Sequence, residues 1–172
     1  MKKLLFILGI GITGYTANAQ NAGGIWLSGA GIVSEGTGIH NGETEILSVQ
    51  DSIVDALSTS GGGAPIGKVV HGNFTFRKIL NASSAFFFSF VNRGTFIPSL
   101  TFKFYDKKGN TFVPTLTVTL SNVIVSKYRI ASPDAQNKNA SGAVEEISLF
   151  YSQIQYTDAS GNSVQFPVTA HF

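Results

Sequence analysis

Residues 68–90 constrain the fold more than any other stretch, because an alternating strand runs through a short polar break into an apolar helix. At a period of two residues, one side of the predicted strand carries Val70, Phe74, Phe76 and Lys78. The opposite side carries Asn73, Thr75 and Arg77. This alternation is typical of a strand with one face on the core. The helix that follows is the only one that the mature sequence predicts convincingly.

We predict that Asn81 caps the start of this helix, because its side-chain oxygen can accept a backbone amide two or three residues further on. The residues at helical spacing are Ala82, Ala85, Phe86 and Ser89. The three consecutive phenylalanines at 86–88 also fit a strand, so the pattern leaves both structures open.

The rest of the mature chain has the pattern of antiparallel strands joined by turns. We predict further strands at 24–27, 43–54, 100–105, 111–130, 144–156 and 164–172. In the strand at 100–105, Leu100, Phe102 and Phe104 are predicted to face one way and Tyr105 the other. A bulge beyond Asn122 is predicted to shift the alternation of the long strand, and Pro114 favours an edge position.

Three stretches, residues 29–42, 55–67 and 132–142, are rich in glycine or polar residues and are predicted to be exposed loops. Residues 106–110 and 158–162 are predicted to be turns. Seven or so antiparallel strands with one helix indicate a mainly β, single-domain fold, either a barrel or a sandwich.

The N-terminus has the three parts of a secretory signal peptide. Lys2 and Lys3 precede an apolar stretch at 4–12, and small residues at 17–19 provide a cleavage site. We therefore predict a signal peptide at 1–19 and a mature domain at 20–172. The apolar stretch is shorter than the ~20 residues that a membrane span needs, so we expect no membrane insertion after cleavage.

Composition excludes several classes of function. Cleavage would remove two of the 12 basic residues and leave ten against the 10 acidic residues, so the mature chain is neutral. A neutral chain lacks the basic surface that nucleic acid or anionic lipid requires. The sequence has no cysteine, so an exported domain of this length must be held by its core alone.

No catalytic or metal-binding pattern is persuasive. His40, His71 and His171 are scattered and form no pair at a metal-ligand spacing. Glu43 and Glu45 lie near His40, but a solvated strand edge explains that group, and His71 is expected to make a structural hydrogen bond. Glu145 and Glu146 are adjacent on a strand and point to opposite faces, so they cannot act on one bond together. We predict no catalytic residue, no cofactor and no metal.

Two segments resemble the hemolysin-coregulated proteins (Hcp), the tube subunits of bacterial type VI secretion systems. The first is VHGNFTFRK at 70–78, followed by the helix, and the second is EEISLFYSQI at 145–154. Weaker similarity is present in IWLSG at 25–29 and ETEILSV at 43–49. The family-motif residues are His71, Gly72, Phe74, Thr75, Phe76, Glu145, Glu146 and Ser148.

The resemblance implies an antiparallel β-barrel with one short α-helix, whose copies form hexameric rings that stack into a tube. Secreted effectors or components of the secretion apparatus would be its other partners. The loop expected to contact the next ring is represented by Ser58, Thr59, Gly61, Gly62, Gly63 and Pro65. Tube subunits of this family leave the cell through the apparatus itself, so a signal peptide is unexpected in one of them.

Two other classes of function remain open at this stage. A secreted binding module could use the loops at 29–42 and 132–142 to hold a carbohydrate or a surface partner. Its stacking platforms would be Trp26, Tyr105, Tyr128, Tyr151 and Tyr156, although core packing explains most of these aromatic residues better. An enzyme is the third and weakest alternative.

Overall fold

The computed structural model describes residues 24–58, 66–131 and 142–168, giving only the backbone for 54–58 and 66–69. The described residues form eleven strands, one α-helix and one short 3-10 helix, Gly38–His40. Strands β1 to β6 are Gly24–Gly29, Thr44–Ile46, Ser48–Gln50, Ile53–Ser58, Ile66–His71 and Phe74–Ile79. Helix α1 is Ser84–Arg93. Strands β7 to β11 are Ile97–Lys108, Thr111–Ala131, Val144–Phe150, Gln153–Asp158 and Ser163–Pro167.

The main sheet closes into an antiparallel barrel. Its strand order is β2-β1-β7-β8-β9-β6-β3. The two end strands, β2 and β3, are consecutive in the chain and are separated only by Leu47, whose amide donates to the Arg77 carbonyl at 2.8 Å. Because β2 pairs with β1 and β3 pairs with β6, this short segment joins the two ends of the sheet. The predicted fold, a single-domain β-barrel with one helix, is confirmed.

The barrel core is built from the inward faces of the strands and from one helix residue. Phe74 and Phe76 are 1% and 0% exposed, so the predicted phase of β6 is confirmed. The ring of Phe76 lies 5.4 Å from that of Phe87 on α1 and 5.3 Å from that of Phe102 on β7. Helix α1 therefore packs against the barrel through Phe87, which lies among core aromatic residues.

The helix begins two residues later than predicted, because Ser83 and not Asn81 occupies the N-cap position. The side-chain oxygen of Asn81 does accept an amide two residues further on, that of Ser83 at 3.0 Å, but in the turn that precedes the helix. Of the residues predicted at helical spacing, Ala82 and Ala85 are exposed and Phe86 packs against the core, whereas the fully buried helix residue is Phe87. The helix ends at Gly94, which adopts a left-handed conformation with φ 59°.

Strand β8 changes its buried face at the predicted place. Val118 and Leu120 are buried before Asn122, and Val123 and Val125 are buried after it. Asn122 has φ 51°, the local distortion that shifts the alternation by one residue. Pro114 lies beyond the part of β8 that pairs with β10, so among the described strands it pairs only with β7, as predicted for an edge position.

The single strand predicted at 144–156 is two strands. Strand β9 pairs with the C-terminal half of β8, whereas β10 pairs with its N-terminal half. The chain must therefore step sideways at Tyr151 and Ser152, and the Ser152 amide donates to the Ser121 carbonyl at 3.0 Å. The register of β7 against β8 also shifts between Phe104 and Tyr105, and Tyr105 is only 9% exposed.

The strand predicted at 43–54 and the loop predicted at 55–67 are both corrected. The first is divided among β2, β3 and the start of β4. The second contains paired backbone: β4 and β5 form an antiparallel two-stranded arm, in register from Ile53 opposite His71 to Ser58 opposite Ile66. The ring-stacking residues Thr59, Gly61, Gly62, Gly63 and Pro65 lie outside the described residues, as do residues 132–141 of the third predicted loop and His171.

No helix in the described ranges is both long enough and apolar enough to cross a membrane.

Candidate assembly surfaces

The two family-like segments are neighbouring strands in the barrel. Strand β6 pairs with β9, placing Phe74 opposite Leu149 and Phe76 opposite Ile147 on the inward face. On the outward face, Thr75 Oγ1 lies 3.0 Å from Ser148 Oγ. The motif residues from Phe74 to Phe76 and from Glu145 to Ser148 therefore form one wall of the barrel.

Glu145 lies at the inner side of this wall in a buried polar network. Its Oε1 accepts from Lys78 Nζ at 2.7 Å, and both side chains are fully buried. The same carboxylate accepts from Ser84 Oγ at 3.0 Å and from Tyr128 Oη at 2.5 Å. Burial lowers the pKa of Lys78, although the hydrogen bond and charge of Glu145 oppose that shift. The network fixes the start of α1 to β6, β8 and β9.

Glu146 lies on the outer side of the wall, as predicted for a neighbour of Glu145. It is opposite Arg77 on β6 and Arg129 on β8, so three charged residues of alternating sign cross the sheet in one row. Its carboxylate lies 3.3 Å from Lys127 Nζ, in an exposed ion pair. Exposed pairs of this kind contribute little to stability.

His71 and Gly72 lie apart from the wall, where the arm meets the barrel. The Gly72 amide donates to the Ser52 carbonyl at 2.8 Å, and a Cβ added at Gly72 would lie 2.2 Å from Ser52 Oγ. A side chain at position 72 would therefore require the Ser52 hydroxyl to move. The His71 ring packs edge-on against Tyr151, with centroids 6.5 Å apart. Its buried Nδ1 has no hydrogen-bond partner in the described part of the chain, so the structural hydrogen bond expected for His71 is not seen at that atom.

Asp51 fastens the base of the arm to β10. Its carboxylate accepts from Tyr156 Oη at 2.6 Å and from Tyr151 Oη at 3.4 Å. Burial raises the pKa of both tyrosines, and the neighbouring Asp51 carboxylate raises them further. The arm therefore leaves the barrel from an anchored base. It precedes β6 in the chain, whereas α1 follows β6, so arm and helix lie at opposite ends of that strand.

The loop after β1 folds back over the outer face of the barrel. His40 stacks on Trp26 with ring centroids 3.8 Å apart and nearly parallel planes, and Tyr105 contacts His40 edge-on at 4.6 Å. Glu43 lies 2.9 Å from His40 Nδ1 and accepts from Lys103 Nζ at 2.8 Å. We call these five residues, Trp26, His40, Glu43, Lys103 and Tyr105, the outer clasp.

The outer clasp corrects two sequence-based interpretations. Glu43 is 4% exposed and His40 is 2% exposed, so this pair is not a solvated edge, whereas Glu45 is exposed. Trp26 is 3% exposed, so it cannot stack on a sugar in this conformation. Tyr105 and Tyr151 are buried as well. Packing within the chain therefore explains these three aromatic residues, Tyr151 in the barrel core and the other two in the outer clasp, and the case for a carbohydrate site is correspondingly weaker.

Sequence reasoning missed the buried partners of the motif. Lys78 was assigned correctly to the inward side of its strand, and a lysine in that phase requires a buried carboxylate. Glu145 is the acidic residue that a β6–β9 pairing places opposite it, but the pairing could not be read from periodicity. No group of three or more potential metal ligands is present in the described ranges.

Comparison with known proteins agrees with a small antiparallel β fold that carries one helix. Residues 31–157 match the family model described as "Type VI secretion system effector, Hcp". No curated protein sequence matched the chain. Among solved structures, a mutant of Hcp1 from the E. coli EAEC 042 pathovar is 21% identical, with a TM-score of 0.70 over 83% of this chain and 95% of that one.

Two further structures have the same fold. Hcp1 of Salmonella typhimurium is 23% identical, with a TM-score of 0.63 over 82% of this chain and 90% of that one. A type VI secretion system effector from Yersinia pestis is 18% identical, with a TM-score of 0.65 over 84% of this chain and 99% of that one. The fold, and a family match that spans most of the sequence, show that this chain belongs to the Hcp family of type VI secretion proteins.

Proposed function

We propose that this protein is a non-enzymatic structural subunit whose copies form hexameric rings that stack into a tube. The observation that carries the proposal is the match to the Hcp family over residues 31–157. The anchored arm supports it, because a two-stranded projection at one end of β6 gives each barrel an element that can reach a copy above or below it. The partners proposed for such a tube are further copies of the chain.

One face of the sheet suits the lumen of a tube that carries varied effectors. On the outer side of β7, β8, β10 and β11, a cross-strand row consists of Thr101, Thr119, Gln155 and Gln165. Because these side chains are uncharged, they can form hydrogen bonds without creating a strong electrostatic field. A passing polypeptide would find contacts that are individually weak, so that it is neither repelled nor retained. Lys103, beside this row, is already engaged by Glu43.

The proposal includes export by the general secretory pathway. Residues 1–19 have the composition of a signal peptide, which predicts mature protein beginning at Gln20 in the periplasm or outside the cell. Intact-mass measurement of protein recovered from culture supernatant or periplasm tests this step. A mass that includes residues 1–19 would show that the chain leaves without signal cleavage.

The test of assembly is negative-stain electron microscopy of purified residues 20–172, with light scattering to give the mass in solution. Six-fold rings or stacks of rings are the expected result. A monodisperse monomer at all concentrations would contradict the tube proposal. In that case a secreted binding module would be the better hypothesis, and binding to carbohydrates or surface partners would be the next measurement.

A further inference from the structure

The core-facing rows of the sheet continue onto β11, whose residues are all exposed in the described part of the chain. One row runs across paired strands through Leu27, Phe102, Val118, Tyr156 and Val164. Its first three members are buried, yet Val164 on β11 is 56% exposed. In the next row, Ile154 is fully buried and its partner Phe166 is 46% exposed. Strand β11 therefore keeps the alternation of a core strand while it lies outside the barrel.

The same strand has a free backbone edge. In the described part of the chain, β11 pairs with β10 alone, so its other edge offers unpaired amide and carbonyl groups. Proteins usually protect such edges with charged side chains. Strand β11, with the sequence SVQFP, has none, and only Pro167 at its end interrupts the edge. An apolar strip and an adjoining open edge on one strand are the features that another polypeptide would cover.

We infer that the strip formed by Val164 and Phe166 is the place where a neighbouring copy of this chain packs, with the open edge of β11 at the same contact. The inference rests on the self-assembly proposed above and names its surface. A second copy is favoured because the strip carries no charge that would attract an acidic or basic partner, and permanent contacts between like subunits are more apolar than transient ones. In a ring the contact is heterologous, so a different surface of the neighbour meets the strip.

The polar row and the apolar strip lie on opposite sides of β11. Side chains alternate along β11, so Gln165 and Ser163 point away from Val164 and Phe166. The face proposed for the lumen and the strip proposed for the neighbour are therefore the two sides of one strand. A subunit can then contact its neighbour without covering the polar row.

The first experiment compares two double variants of residues 20–172 on this one strand. V164D with F166D places charges on the apolar strip, and S163D with Q165D places the same charges on the opposite side. All four residues are exposed in the single chain, so neither change should alter its far-UV circular dichroism. By native mass spectrometry, we expect rings from the wild type and from the control, and at least a tenfold loss of rings from V164D with F166D.

Other outcomes separate this inference from the proposal on which it rests. Rings that persist in V164D with F166D, or an equal loss in the control, would overturn the inference and leave the tube proposal intact. A monomeric wild type would overturn both. Loss of folding in V164D with F166D alone would assign the strip to the core of its own chain, and would also overturn the inference.

A second measurement uses the absence of cysteine from the sequence. Val164→Cys and Gln165→Cys each introduce a single thiol at an exposed position, and maleimide labelling is followed before and after assembly. Assembly is expected to slow labelling of the Val164→Cys variant at least tenfold and to leave the Gln165→Cys variant within about twofold of its unassembled rate. Equal rates for the two variants in assembled protein would show that the strip is not covered.

Discussion

Lys78 and Glu145 form a buried ion pair in the barrel wall, and we expect the stability of the fold to be unusually sensitive to the loss of either partner. Lys78→Met leaves the fully buried Glu145 without its cationic partner, and we expect a loss of about 3–5 kcal/mol in unfolding free energy. Urea denaturation followed by circular dichroism measures it. The matched control is Lys127→Met, which removes the exposed partner of Glu146 and should cost less than about 1 kcal/mol. Equal losses in the two variants would contradict this account.

Tyr156, which donates a hydrogen bond to Asp51, should make the stability of the fold depend on alkaline pH. The pKa of Tyr156 is raised in the folded protein, so the unfolded chain loses this proton first, near the ordinary tyrosine pKa of about 10. The stabilisation is complete below that pH and is lost as the pH rises above it. Tyr156→Phe should therefore show a smaller fall in its urea midpoint between pH 9 and pH 11 than the wild type shows. The same fall in both proteins would indicate that Tyr156 does not contribute.

At the scale of elements, the arm is the part whose role can be separated from the fold. Ser58 and Ile66 are paired at the last described position of the arm, so they can be joined by a two-residue Asn-Gly turn in place of residues 59–65. We expect this variant to keep its melting temperature within a few degrees and to form rings that no longer stack, as seen by electron microscopy.

The control for the arm replaces residues 59–65 by seven glycine and serine residues, which preserves its length. Stacking that survives this change but not the shortening would assign the contact to the reach of the arm. Stacking that is lost in both would assign it to the side chains at 59–65. A shortened variant that fails to fold would contradict the view that the arm tip is separate from the barrel.

Elements that are marked by the alternation of residues within one segment could be predicted. Elements that depend on which strands pair with each other could not. The phase of β6 and the shift at Asn122 follow from alternation along one segment, and both are present in the structure. The break between β9 and β10 depends on which half of β8 each strand joins, and alternation continues through it. The arm was predicted to be a loop because glycine and serine at its tip outweighed the short alternating runs on either side.

The outer clasp is another feature that could not be predicted from the residue pattern along the chain. Glycine-rich sequence around His40 predicted an exposed loop, which the composition of residues 29–42 supports. The loop nevertheless covers Trp26, whose outward direction on β1 would otherwise leave a large aromatic ring in water. Only the three-dimensional arrangement reveals that a tryptophan outside the barrel provides a second, smaller centre of packing.

For the molecule as a whole, the question is whether this second centre unfolds together with the barrel. Trp26 is the only tryptophan, and it belongs to β1, whose next residue, Leu27, is fully buried in the main core. Because one strand contributes to both centres, we expect a single cooperative transition in urea, with the same midpoint by tryptophan fluorescence and by far-UV circular dichroism.

His40→Ala provides the sharper form of this test. The substitution removes the ring that stacks on Trp26 and the neighbour of the Glu43 carboxylate, while it leaves the inward faces of the strands unchanged. We expect both midpoints to fall together, because weakening the clasp destabilises β1 and through it the barrel. A fluorescence midpoint that falls while the circular dichroism midpoint stays in place would show that the clasp opens alone. The loop would then be a separately mobile cover on the barrel that could expose Trp26 to a partner without cost to the fold.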